Sequence, residues 1–85
     1  MPQFLDHHKS SGPPSAEMIQ QASDGFKGGG QADPATGVKG LSWMYNDNEQ
    51  WCVTEATDAQ AVHKYHEAMG LDLGAGDVTE IKVVR

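Results

Sequence analysis

Polar and apolar residues alternate with a period of two in four stretches of this chain and follow a helical period in two others. Gln3 to Lys9 reads as a strand, and Ser10-Ser11-Gly12-Pro13-Pro14 ends it, because prolines cannot continue a hydrogen-bonded ladder. Ser15 is a good N-cap for a helix whose apolar stripe is Met18, Ile19, Ala22 and Phe26. Gly25 and Gly28-Gly29-Gly30 stop that helix and open a loop through Asp33-Pro34 to Gly37. Val38 to Tyr45 and Gln50 to Ala56 form a hairpin around the turn Asn46-Asp47-Asn48-Glu49. Thr57 or Asp58 caps a second helix that runs to Met69, with Val62, Tyr65, His66 and Met69 facing inward and Gly70 as its stop. A loop from Leu71 to Gly76 leads to a last strand, Val78 to Val84.

The order strand, helix, strand, strand, helix, strand predicts an α+β protein of ferredoxin-like βαββαβ plan, with an antiparallel sheet and both helices on one face. Residues 1–85 form a single ferredoxin-like domain. The right-handed crossover rule is taken to set the first and third strands side by side and parallel at the centre. Period two then puts three sets on the side away from the helices: Phe4, Asp6 and His8; Leu41, Trp43 and Tyr45; Trp51, Val53 and Glu55. Leu5, His7, Gly40, Ser42, Met44, Cys52, Thr54 and Ala56 face the helices.

An aromatic sheet face is rarely left in water. Phe4, Trp43, Tyr45, Trp51 and Val53 are therefore expected to line either a homodimer face or a ligand pocket. Each of the four rings has on the order of 150–250 Å² to bury. A chain of 85 residues has a limited core, so association is a natural source of further stability.

Charge narrows the classes of partner. Twelve acidic and six basic side chains leave a net charge of −6, which argues against nucleic acid and against anionic membranes. Cys52 is the one cysteine, so no internal disulfide forms and a reducing compartment is the natural setting. With no signal-like apolar run and no window of membrane-spanning length, the expectation is a cytoplasmic protein.

His8 and Glu55 are the leading chemical candidates. With the two central strands parallel, both lie at C-terminal strand ends on the aromatic side, and Asp6 sits one pleat further in. A histidine with one or two carboxylates suits a divalent ion such as nickel or zinc. The same groups can work as a general acid–base pair, or satisfy one another by hydrogen bonding at an interface. His63 and His66, three apart on a helix, can share an ion, although that spacing is common. His66 also lies on the inward stripe, expected to be remote from His8 within one subunit. His7 belongs at the edge of the helix layer, and Cys52 reads as a small buried hydrophobe. The triple glycine lacks the lysine and the strand-to-helix setting of a phosphate loop.

Several segments together resemble a bacterial family of short proteins, the domain of unknown function 4242. They are Pro2-Gln3-Phe4-Leu5-Asp6-His7-His8, Gly37-Val38-Lys39-Gly40-Leu41, Trp51-Cys52-Val53-Thr54-Glu55-Ala56, Ala61-Val62, His66-Glu67-Ala68-Met69-Gly70-Leu71 and Glu80-Ile81-Lys82-Val83-Val84. The resemblance implies a ferredoxin-like subunit, a homodimer and nickel binding, with Asp6, His8, Glu55 and His66 as the family-like polar residues. His7, Trp43, Tyr45 and the glycine-rich loop before Gly37 depart from that pattern.

The combined expectation is a small homodimeric protein that binds a divalent transition metal of the nickel type through His8, Glu55 and Asp6, with His66 as a further candidate ligand, a binding protein more than an enzyme. The alternative is a dimeric α+β barrel that binds a small molecule or uses His8 and Glu55 as an acid–base pair.

Overall fold

The computed structural model describes residues 1–68, 73, 74 and 76–84. Its elements follow the expected order: β1 (Gln3–Lys9), α1 (Ala16–Lys27), β2 (Lys39–Tyr45), β3 (Glu49–Glu55), α2 (Ala59–Ala68) and β4 (Val78–Ile81). Met69, the Gly70 stop, and Leu71, Asp72 and Ala75 of the expected loop lie outside the described residues, as does Arg85.

Local chemistry explains the boundaries. The Ser15 hydroxyl accepts from the Met18 N–H at 3.2 Å and opens α1. The helix runs through Gly25 and ends where Gly29 adopts a φ of 84°. There the Gly30 N–H donates to Gly25 C=O and the Gly29 N–H to Phe26 C=O, a left-handed turn that glycine makes without Cβ strain. The Asp33 carboxylate accepts from the N–H and hydroxyl of Thr36, folding the following loop. The Asn46 side chain accepts from Asn48 and Glu49 N–H in the hairpin turn. Asp58 is the N-cap of α2, accepting from the Ala61 N–H at 2.8 Å.

The four strands form one sheet in the order β2-β3-β1-β4, and every pair is antiparallel. This α+β architecture is compatible with the ferredoxin-like plan. The expected parallel pairing of the central strands is wrong. The crossover rule governs β1 and β2, which α1 joins. Strand β3 returns from a hairpin with β2 and so runs against both.

The faces of the sheet differ from expectation for two further reasons. Phe4 is buried in the core with Val38, Ala56 and Val62, so Phe4, Asp6 and His8 look toward the helices, and Leu5 and His7 look away. In β2 a bulge between Gly40 and Ser42 shifts the register by one residue. Beyond it Trp43 pairs with Cys52 and Tyr45 with Gln50, which turns both rings to the helix side. Trp51, Val53 and Glu55 lie on the open face, as expected. The open face therefore carries Leu5, His7, Met44, Trp51 and Val53, and one large aromatic in place of four. His7 stacks on Trp51 with ring centroids 5.3 Å apart and bonds Glu49 at 2.8 Å, away from the helix layer.

Candidate metal centre

Three elements converge under the helices. Strand β1 contributes Asp6 and His8 from alternate positions on its inner side. In the antiparallel register Cys52 of β3 is the direct partner of Asp6. Helix α2 lowers Val62 and His66, one turn apart, onto the same spot. One ligand atom from each of Asp6, His8, Cys52 and His66 lies within 4.8 Å of the others.

Burial makes this cluster costly. Asp6 is 0% exposed and His66 1%. The Asp6 Oδ2 atom is 3.3 Å from His66 Nε2, yet among the described residues neither Asp6 oxygen has a hydrogen-bond partner of adequate geometry. His66 Nδ1 lies 2.9 Å from the Val62 carbonyl oxygen, which can only accept, so Nδ1 carries a proton. In the neutral imidazole the Nε2 lone pair then faces a carboxylate. Two lone-pair atoms at that distance repel unless a cation lies with them, either a proton or a metal ion.

The titration of the groups reflects the same burial, and a protonated His66 would be the cation that offsets it for Asp6. Burial raises the Asp6 pKa, opposed by a positive charge on His66, by the thiol and backbone N–H of Cys52, which lie near the carboxylate without the geometry of a hydrogen bond, and by His63. Burial, with the charges of His66 and His7, lowers the His8 pKa against an opposing pull from Asp77. His8 is thus a neutral imidazole at pH 7, the form that ligates. Burial and the neighbouring Asp6 push the Cys52 thiol up to about 12, so it is no free nucleophile.

The placements correct several expectations. Glu55 pairs with Gln3, whereas His8 pairs with Gln50. Five residues of strand, roughly 17 Å, separate Glu55 from His8. The proposed joint use of His8 and Glu55, as ligands or as an acid–base pair, has no support in this geometry. His66, expected to be remote from His8, lies beside it with ring centroids 6.1 Å apart. The second helix does run its C-terminal half back toward the start of β3, as expected. In an antiparallel sheet that is the end of β1, where His8 stands. Cys52 joins the cluster as a fourth donor, not as a bland core residue, while His63 is not part of it. The strand pairing is the signal that reveals Cys52, since its alternation already put it on the helix side.

Comparison with known proteins gives no further guide: no family model, no curated protein and no solved structure matches this chain. Among the described residues no helix is long and apolar enough to cross a membrane.

Proposed function

We propose that this chain is a small metal-binding protein in which Asp6, His8, Cys52 and His66 hold one divalent ion of the late first-row transition series. The observation that carries the reading is the buried Asp6 carboxylate facing His66 Nε2, with both oxygens unpaired among the described residues. A dication there meets two potential anions, Asp6 and Cys52, and two neutral imidazoles, so the loaded site is close to electroneutral. One carboxylate, two imidazoles and one thiolate suit zinc, nickel or copper, and exclude magnesium and calcium, which take oxygen donors. Nickel is the ion that the resemblance to the domain of unknown function 4242 family implies. Calorimetry with nickel and zinc on tag-free protein tests the reading. One ion per chain is expected, with Glu55→Gln titrating like the parent. If His8→Ala and Cys52→Ser also titrate like the parent, the site is wrong.

Sulfur coordination has its own signature. Cobalt or nickel loading is expected to give a thiolate-to-metal charge-transfer band that Cys52→Ser lacks, read by near-ultraviolet absorption. The apo thiol keeps its proton up to about pH 12, so binding at lower pH releases that proton. Affinity therefore falls as pH is lowered, and this part of the pH dependence is absent in Cys52→Ser.

A homodimer through the open sheet face accompanies this proposal. Leu5, Trp51 and Val53 are half-buried there and Met44 is 43% exposed, an apolar strip of the kind that a second copy covers. Sedimentation at micromolar concentration is expected to give twice the chain mass, and Trp51→Glu to give the single-chain mass. A single-chain mass for the parent would remove the dimer and leave the metal centre untouched.

A further inference from the structure

A cleft of about 390 Å³ opens directly above the cluster, between α1 and the inner face of the sheet. Its cause is legible in the side chains. Where α1 crosses the sheet, the strands present Gly40, Cys52 and Thr54, and the helix presents Ala22 at the middle of its stripe. None of these fills the gap between the layers. As a result α1 buries no residue fully, although Met18, Ala22 and Phe26 recur every four positions along its inner side. A helix held off its sheet by small residues leaves apolar walls with nothing between them, contrary to the close packing of ordinary interiors.

The walls define what fits. Rings bound the space on several sides: Phe26 from α1, Trp43 from β2, Tyr65 from α2, and the imidazoles of His8 and His66 at the floor. Among the described residues no Lys, Arg, Asp or Glu lines it, so a charged ligand finds no counter-charge there to offset its desolvation. Trp43 Nε1 is occupied by Gln50 Oε1 at 3.3 Å, which leaves the ring face as its main offering. The volume lies in the range of small-molecule pockets and accommodates on the order of 10–20 non-hydrogen atoms.

We infer that this cleft binds a flat, uncharged, largely apolar small molecule, sandwiched between the apolar stripe of α1 and the inner sheet face beside Trp43. The inference rests on the cavity and its lining and is independent of whether the cluster beneath holds a metal.

Nuclear magnetic resonance of the full, isotope-labelled chain tests it, with 2-naphthol as the probe and 2-naphthoate as its charged counterpart, in the presence of a chelator. Saturable shifts are expected at the amides of Ala22, Gly40, Trp43 and Thr54. The naphthoate is expected to bind at least about tenfold more weakly. Ala22→Phe, which fills the cleft from an exposed helix, should abolish the shifts while the rest of the spectrum stays dispersed. Asp6→Asn should retain them, so failure of the metal reading and failure of this one are separable. Absence of saturable shifts, shifts centred on Met44 and Trp51 of the open face, or equal binding of the naphthoate would each overturn the inference.

Discussion

Loading with metal at a hundredfold excess over its dissociation constant is expected to raise the melting temperature by roughly 10–20 °C. The estimate follows from mass action: binding only to the folded state at that excess adds about 2.7 kcal/mol. In a domain of this size each kcal/mol moves the midpoint by about 4–8 °C. The four donors come from β1, β3 and α2, so the ion cross-links elements distant in sequence and has no preformed site in the unfolded chain. His66→Ala is expected to lose the shift, with affinity reduced on the order of 100-fold or more. That variant also opens a cavity under α2, because His66 is fully enclosed and packs edge-on against Tyr65. His8→Ala is the companion variant, since His8 is only half-buried and its removal leaves the core intact. Differential scanning calorimetry with and without nickel or zinc makes the measurement. A shift that persists undiminished in His8→Ala places the ion elsewhere.

Asp6→Asn is expected to act in opposite directions on stability and on binding. The parent apo protein buries a carboxylate whose oxygens lack partners among the described residues, facing an imidazole nitrogen. The amide removes the charge, and its Nδ2–H can donate to the His66 Nε2 lone pair. Relief of an unsatisfied buried polar pair is worth about 1–3 kcal/mol, so the apo variant should melt several degrees above the apo parent. Metal affinity should fall by on the order of 100-fold, because the amide is a neutral and poorer ligand.

The pH dependence gives an independent reading. Burial raises the Asp6 pKa above 3.8 in the folded chain. Below that value both states hold the proton. As pH rises through it the unfolded chain ionises first, so the parent loses stability until pH passes the folded pKa. Asp6→Asn removes this decline. His8 contributes with the opposite sign: its folded pKa is depressed, so apo stability is lost as pH falls below about 6.5, in parent and variant alike. Denaturant melts of the apo proteins between pH 4 and 8 decide the matter. If Asp6→Asn costs about 3–5 kcal/mol instead, a protonated His66 already completes a buried ion pair with Asp6, and no metal is required there.

On the proposed metal-binding reading, polar groups sit in so small a core because stability is traded for a binding site. The enclosed residues include Asp6, Thr54 and His66 beside Phe4, Val38, Ala56 and Val62. A chain optimised for stability alone would place apolar side chains there.

What the amino-acid order determined by itself is local. Period two marked the strands, the caps at Ser15 and Asp58 and the turn at Asn46 set element starts, and the glycines after Lys27 ended α1. The same local reading singled out Asp6, His8, Glu55 and His66 as the polar residues worth attention. It misplaced the face of β2, because a one-residue bulge after Gly40 leaves no mark in alternation yet reverses Trp43 and Tyr45. Only the tertiary structure decided which donors meet. Register between strands distant in sequence is set by how the whole sheet closes on its core, and one inverted strand direction moves its far end by the length of the strand. That is why Glu55 left the candidate site, why Cys52 entered it, and why His66 lies beside His8 and not remote from it.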